Sequence, residues 1–236
     1  MLAEFDAPAT VYLTTYYVAR SGLPVPNVMV PYLLWQARGL AAVDLSSHGA
    51  FTEATDLTSE SGRALATRRI VEARAGDTTD GKDRRLDALA ETLGLDMPAI
   101  RLRRHLQLMT PDEVRDLPRG LVDVELHTHR HRTPDDEASF RRELAENAAM
   151  IGDLTGRAPR HFCYPSGRYR HAFLPWLRDA GVLSATTCVT GIAAPNTEPL
   201  LTPRLVDTSH TPDATFAGWV TGAAAILPQR PATLMD

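Results

Sequence analysis

Three β-like runs in the second half of the chain are separated by stretches with helical periodicity, and this alternation limits the folds open to it. Leu121 to His127 alternates apolar and polar residues, while Arg160 to Tyr164 and Val182 to Val189 are short runs that contain aromatic or β-branched residues. The stretch between the first two carries an apolar stripe at helical spacing: Phe140, Leu144, Ala148, Ile151 and Leu154. Strands that alternate with helices predict parallel β-α units, either in an open doubly wound sheet or in a barrel. In both architectures, function is expected in the loops that follow the carboxyl ends of the strands.

The composition is that of an ordinary globular α/β domain, and it argues against several kinds of partner. The 236 residues are 44% hydrophobic and 23% charged, which is enough for a sizeable core. A formal net charge of −4, without a basic run, argues against nucleic acid and anionic membranes as partners. No apolar run approaches the roughly 18 residues of a membrane span, and residues 1–6 lack the basic and apolar regions of a signal peptide. As written, the chain is expected to be soluble and cytoplasmic.

The two cysteines, Cys163 and Cys188, are too few for a disulfide framework. Both lie in apolar β-like runs. We therefore expect two buried free thiols rather than a bridge.

The strongest candidate for chemistry is a group of three histidines within five residues. His127, His129 and His131 lie at the carboxyl end of a predicted strand, where an α/β fold places its sites. Neutral imidazoles bind Zn²⁺, and two from one short segment converge if the chain turns after the strand. The segment predicts metal binding; the alternative is a solvated loop that is rich in histidine.

The next predicted strand ends in a tight turn, Pro165-Ser166-Gly167, preceded by Tyr164. Backbone N–H groups of such a turn can point at a ligand, as an oxyanion hole for acyl hydrolysis requires. By itself the segment is equally explained as an ordinary turn. Its interest comes from its position in the β-α loop next to the histidines.

Two further residues near the end of the chain are candidates. Arg204, in Thr202-Pro203-Arg204-Leu205, can orient a carboxylate or a sugar, although a surface ion pair is the alternative explanation. His210 is a candidate proton donor.

These segments together resemble the polysaccharide deacetylase family (NodB-homology, carbohydrate esterase family 4-like). His127-Thr128-x-x-His131 is similar to the family's His-Ser/Thr-x-x-His metal motif. Three other segments resemble family motifs in the family order: Pro8-Ala9-Thr10, Phe162-Cys163-Tyr164-Pro165-Ser166-Gly167 and Pro203-Arg204. The resemblance implies one domain over residues 1–236, in which residues 20–108 form a variable region.

The resemblance implies a distorted (β/α) barrel of about seven units. A divalent metal, Zn²⁺ by preference, would be held by His127, His131 and an aspartate, and its bound water would attack the carbonyl of an acetylated carbohydrate. A second aspartate would act as general base. The N–H of Ser166 would stabilise the oxyanion, Thr128 would support the metal loop and His210 would donate a proton. The substrate contacts would come from Tyr164, Pro165, Gly167 and Arg204.

The chain departs from the family pattern at its start. The two family aspartates come from a Thr-Phe-Asp-Asp-Gly strand. In this chain only Phe5-Asp6 matches two residues of that motif. We therefore expect the first β-α unit to be missing, with Met1 to Asp6 as the tail of its helix. The favoured explanation is a coding region that continues upstream; the alternatives are a partner chain that supplies the missing strand and a degenerate, inactive relative. Open barrel edges favour pairing, so a homo-oligomer that covers them is expected.

Three functions remain open from the sequence. The first is a metal-dependent hydrolase that removes acetyl groups from N-acetylated carbohydrate, although this chain is inactive if the aspartates are not supplied. The second is a non-catalytic carbohydrate-binding or partner-binding remnant. The third is a PHP-type metal-dependent phosphoesterase, because Glu125-Leu126-His127-Thr128-His129 resembles that family's Asp-x-His-x-His.

Overall fold

The structure is a computed structural model that describes residues 1–73, 77–208 and 210–223. The chain divides into two compact units, one formed by Met1–Tyr16 with Pro111–Asp236 and the other by Tyr17–Thr110. The second unit corresponds closely to the region predicted to be variable. Whether the whole chain acts as one domain stays a prediction.

The helices in these ranges are α1 (Tyr16–Ala19), α2 (Pro26–Gln36), α3 (Glu60–Ala73), α4 (Thr79–Thr92), α5 (Met97–Leu102), α6 (Pro111–Arg115), α7 (Glu137–Thr155), α8 (Phe173–Asp179) and α9 (Asp213–Val220). None of these helices has the length and hydropathy required to cross a bilayer. The first unit holds the sheet and the predicted site residues. The second is helical and packs around its own core of Met29, Leu33, Leu34, Ile70, Leu86 and Leu89.

The first unit is built on four strands, β1 (Ala9–Leu13), β2 (Val122–Leu126), β3 (His161–Cys163) and β4 (Ser184–Thr186). They form one sheet in the order β1-β2-β3-β4, and every neighbouring pair is parallel. A parallel bridge from Thr186 to Thr202 continues the sheet past β4.

This arrangement confirms the predicted α/β class. In a doubly wound sheet the strand order reverses at a switch point, whereas consecutive units of a (β/α) barrel keep strands in sequence order. The four strands follow the second pattern. The carboxyl ends of β1, β2 and β3 therefore lie side by side, and residues that follow them share one edge of the sheet.

Helix α7 covers one face of this sheet. It begins at a capped end, where the Asp136 side chain accepts from Ser139 N (2.8 Å), and it ends at Gly156, whose φ of +71° closes the helix. The predicted stripe is confirmed at four positions, because Phe140, Leu144, Ile151 and Leu154 are buried while Ala148 is partly buried. The Phe140 ring stacks on Phe173 of α8 with centroids 4.6 Å apart, so both helices share one aromatic core.

The cysteines differ from the prediction in one respect. Both thiols are free and Cys163 is buried, as expected, but Cys188 is exposed. The reason is that β4 ends at Thr186, two residues before Cys188, rather than continuing through Val189.

Candidate active site

The loop after β2 folds back on itself within five residues. Thr128 and His131 both adopt left-handed backbone conformations, with φ of +60° and +54°. The buried Thr128 Oγ1 accepts a hydrogen bond from Arg132 N (3.0 Å), which closes the loop. As a result the His127 and His131 rings meet edge to face, with centroids 4.8 Å apart.

The His127 ring is oriented by its neighbour strand. Its Nδ1 lies 2.7 Å from the backbone carbonyl oxygen of Cys163 in β3, and since a carbonyl only accepts, Nδ1 carries the proton. The lone pair is therefore on Nε2. Burial lowers the pKa of His127 to about 4, so the ring is neutral near pH 7. A neutral imidazole whose Nδ1–H donates to a backbone carbonyl is the usual form of a metal-ligating histidine.

His131 completes the pair from the exposed side of the loop. The residue as a whole is exposed, but packing against the His127 ring takes part of its imidazole out of water. This burial lowers the pKa of His131 as well. Two neutral imidazoles therefore lie next to each other at the carboxyl end of β2.

The third histidine does not join this pair. His129 Nδ1 lies 2.8 Å from Thr15 Oγ1, and its ring packs edge to face on Tyr16 at a centroid distance of 5.7 Å. Thr15 and Tyr16 follow β1, whereas the partner of His127 lies in β3, on the opposite side of β2. His127 and His129 are thus directed to different sides of their own strand.

Two buried polar residues of α7 hold this loop, and the sequence analysis missed both. Asn147 Oδ1 accepts from His127 N (2.9 Å), and its Nδ2 donates to Leu13 O (2.9 Å) and Thr15 Oγ1 (3.0 Å). Glu143 is fully buried and accepts from the backbone N–H of Arg130 (2.7 Å). A signal existed, because both lie within the apolar stripe of the helix, where a polar residue needs a partner.

The side chains of two arginines complete the support of the loop. Arg132 Nε lies 2.7 Å from Glu143 Oε1, and an Arg130 terminal nitrogen lies 3.1 Å from the same oxygen. The same Arg130 nitrogen also contacts Glu146 Oε2 at 2.5 Å. The loop that carries His131 is therefore anchored to α7 by charge as well as by its backbone.

The Pro165–Gly167 turn begins two residues after the carbonyl that binds His127. Ser166 is exposed and has a φ of +56°, and Gly167 has a φ of +70°. The two backbone hydrogen bonds that close the turn are donated by Gly167 and Arg168, so the N–H of Ser166 is not one of their donors. Because the turn follows β3 and the histidine pair follows the neighbouring parallel strand β2, both lie at the same edge of the sheet.

Backbone strain is concentrated at this edge. Thr128, His131 and Ser166 are three of the six non-glycine residues with positive φ in the described ranges. For the β-branched Thr128 this conformation is an outlier. Strained residues of this kind persist where the surrounding structure holds them, and they cluster at functional sites.

The remaining predicted residues lie in different surroundings. Tyr164 is fully buried and its hydroxyl donates to Leu200 O (3.0 Å), and Pro165 is buried as well, so both side chains belong to the core. His210 is exposed, and no contact in the described residues joins its ring to the histidine pair. Arg204 is half-buried and contacts the sulfurs of Cys163 and Cys188.

The histidine pair fits a divalent metal only in part. Catalytic zinc sites use three protein ligands and keep a fourth position open. Within the described residues, no group of three or more histidine, cysteine, aspartate or glutamate side chains could hold a metal ion. The pair therefore offers two of the three ligands.

Comparison with known proteins gives one family match and several similar solved structures. A family model described as polysaccharide deacetylase matches residues 1–185. Similar solved structures include a polysaccharide deacetylase from Bacillus cereus, with 19% identity and a TM-score of 0.42, covering 48% of this chain and 37% of that chain. IcaB from Ammonifex degensii has 22% identity and a TM-score of 0.42, covering 50% and 53%. A CE4 family pseudoenzyme from Bacillus anthracis has 18% identity and a TM-score of 0.32, covering 49% and 46%.

The chain thus spans between about a third and about a half of the length of these solved structures. A search of curated proteins found no match.

Proposed function

The chain belongs to the polysaccharide deacetylase family, and from that premise we propose that it is a hydrolase that removes acetyl groups from N-acetylated carbohydrate. The observation that carries the proposal is the contact between the His127 and His131 rings, at a centroid distance of 4.8 Å, beside the Ser166 turn. Acetamide hydrolysis needs a polarising centre and an oxyanion donor at one place, and these two features supply candidates for both.

The roles proposed for Ser166 and Thr128 rest on their geometry, and those of the other residues rest on their positions in the sequence. The N–H of Ser166, held in a strained turn at the sheet edge, donates to the oxyanion that forms on the acetyl carbonyl. Thr128 keeps the histidine loop closed through its bond from Arg132 N. Arg204 and Gly167 border the sugar, together with the backbone of Tyr164 and Pro165, and His210 supplies a proton to the leaving amine.

We propose that His127, through Nε2, and His131 hold a divalent cation, Zn²⁺ by preference. When bound, such a cation supplies Lewis acidity and an acidified water. The chain's own contribution is to keep both rings neutral, because burial lowers the pKa of each. The bond from Nδ1 to Cys163 O fixes the direction in which Nε2 points.

A second candidate function is a carbohydrate-binding protein without hydrolytic activity. It is favoured by the finding that no third metal ligand accompanies the two histidines in the part of the chain that is described. The backbone donor of the Ser166 turn would still be able to bind a sugar. The PHP-type phosphoesterase is disfavoured, since it needs His127 and His129 to converge and the two rings bind opposite neighbour strands.

Zinc binding and acetate release, measured on the same preparations, test the proposal. We expect micromolar Zn²⁺ binding by calorimetry that is lost in His127→Ala and His131→Ala and kept in His171→Ala, an exposed histidine of the same unit. Acetate released from an N-acetylglucosamine oligomer should show the same dependence. Binding of the oligomer without zinc binding or acetate release would favour the non-catalytic function. Phosphate release from a generic phosphate ester that depends on both His127 and His129 would favour the phosphoesterase.

A further inference from the structure

The guanidinium of Arg204 lies between two thiols. One terminal nitrogen is 3.4 Å from Cys163 Sγ, and the other is 3.0 Å from Cys188 Sγ. Within the described residues no carboxylate forms an ion pair with Arg204, and its buried Nε has no hydrogen-bond partner. Thiol sulfur is a weak acceptor, so the positive charge of this half-buried side chain is not neutralised by its partners. The cluster is therefore an electropositive thiol site.

Only one of the two sulfurs is accessible. Cys163 is buried, with 2% of its surface exposed, whereas Cys188 is exposed. Reactive cysteines are those that combine access with a neighbouring positive charge. Cys188 meets both conditions.

The two thiols are not bridged in the structure. Both are free, and Arg204 contacts each sulfur through a different terminal nitrogen. The reaction partner of Cys188 is therefore a second molecule rather than Cys163.

We propose that Cys188 is a thiol–disulfide exchange site for small anionic disulfides, with Arg204 as the residue that attracts them. The Cys188 thiol loses its proton to solvent, and its sulfur attacks one sulfur of the reagent. A new S–S bond joins Cys188 to half of the reagent, the original S–S bond breaks, and the other half leaves as a thiolate with the electron pair. Cys188 is oxidised to a mixed disulfide and half of the reagent is reduced.

The position of Gly167 links this modification to the neighbouring turn. A Cβ atom placed on Gly167 would lie 2.7 Å from Cys188 Sγ, so the turn packs directly against that sulfur. A group attached to Cys188 must share this space. Modification of Cys188 therefore displaces the turn that carries Ser166.

The test compares two disulfide reagents on the full chain. The reagents are the dianionic 5,5′-dithiobis(2-nitrobenzoate) and the neutral 2,2′-dithiodipyridine, and mass spectrometry identifies the labelled residue. We expect labelling at Cys188 in the wild type and in Cys163→Ser, and none in Cys188→Ser. The ratio of the anionic to the neutral reaction rate should fall about tenfold in Arg204→Gln, and it should stay unchanged in Arg142→Gln, which removes an exposed arginine of α7.

A measurement on the unaltered protein guards against misfolding of the Arg204 variant. The chain carries a net charge of −4, so its remote field repels anions and added salt would speed the anionic reagent. Attraction by Arg204 has the opposite dependence on salt. We therefore expect added salt to slow the reaction of the anionic reagent and to leave the rate of the neutral reagent unchanged. First labelling at Cys163, or an anionic rate that rises with salt, overturns the proposal. Neither readout depends on hydrolytic activity.

Discussion

Asn147 accepts the backbone N–H of His127 with its side-chain oxygen at 2.9 Å, and it donates to Leu13 O at 2.9 Å and to Thr15 Oγ1 at 3.0 Å. The side chain is fully buried, so no water competes for these bonds. A single residue of α7 thus joins the carboxyl ends of β1 and β2 at the point where the histidine loop begins.

Replacing Asn147 by leucine should therefore be costly although the volume is nearly kept. The substitution leaves Leu13 O and His127 N buried without this partner, and we expect a loss of about 3 kcal/mol in the free energy of unfolding. Urea denaturation followed by circular dichroism measures it. Asn196→Leu, at an exposed loop position, should change stability by less than about 0.5 kcal/mol. Equal midpoints for the two variants would show that the Asn147 bonds contribute nothing.

The apolar stripe of α7 shows which buried residues the sequence predicts and which it does not. Apolar periodicity predicts Phe140, Leu144 and Ile151 on the buried face, and all three are buried. The same periodicity places Glu143 and Asn147 there too, but polar residues in a helix are ordinarily counted as solvated. Their partners follow other strands, and such long-range pairs are not visible in a local pattern.

The first strand shows the same limit at its end. Its β-branched and aromatic composition predicts a strand from Ala9 to Val18, whereas β1 ends at Leu13 and Tyr16 begins α1. The Thr14 hydroxyl donates to Thr128 O (2.8 Å), and Tyr16 N donates to His129 O (2.8 Å). These bonds turn the chain toward the histidine loop, and side-chain propensity does not contain them.

The His127 and His131 rings lie 4.8 Å apart, centroid to centroid, in a segment that the sequence singles out through local properties, its histidine spacing and its position after a strand. The orientation of the His129 ring could not be predicted in the same way, since it depends on a hydrogen bond with Thr15, which follows a different strand. The same holds for Tyr164, whose hydroxyl is bound by a carbonyl 36 residues away.

The free energy of unfolding should fall in weak acid because of His127. Burial lowers the pKa of the folded ring from 6.5 to about 4, while the unfolded chain keeps the ordinary value. Between pH 6.5 and pH 4 the imidazole is protonated in the unfolded chain and neutral in the folded chain. The contribution of this ring to the free energy of unfolding is therefore complete above pH 6.5 and decreases as the pH falls to 4. We expect His127 to account for about 3 kcal/mol of that loss.

Urea denaturation in EDTA at pH 7.5 and at pH 4.5 measures this contribution. His127→Gln should have a flatter pH dependence than the wild type by this amount. His171→Gln, at an exposed ring, should follow the wild type. A His127→Gln profile parallel to that of the wild type would mean that the ring is not desolvated.

Glu143 should be intolerant of losing its charge. Its buried carboxylate contacts Arg132 Nε at 2.7 Å and Arg130 N at 2.7 Å, and a neutral glutamine in its place leaves two arginines facing an uncharged partner. We expect Glu143→Gln to cost about 3 kcal/mol of unfolding free energy. Glu137→Gln, which breaks an exposed pair with Arg141, should cost less than about 1 kcal/mol. Thermal unfolding of both variants distinguishes the buried from the exposed pair, and similar melting temperatures would contradict the assigned burial.

Gly167 should be sensitive to a single added methyl group for two separable reasons. Its φ of +70° is a conformation that an alanine adopts at a cost of about 1 kcal/mol, and a Cβ would lie 2.6 Å from Cys188 Cβ and 2.7 Å from its Sγ. Gly181 supplies the matched control, because its φ of +78° is similar and nothing lies within 4 Å of its Cβ position. Gly181→Ala should therefore show the backbone cost alone, and Gly167→Ala should lose about 2 kcal/mol more in urea denaturation.

Cys188→Ala in the Gly167→Ala background removes the sulfur overlap but not the Cβ overlap, so it should restore part of the difference. Equal losses for the two single variants would mean that the turn does not pack against Cys188.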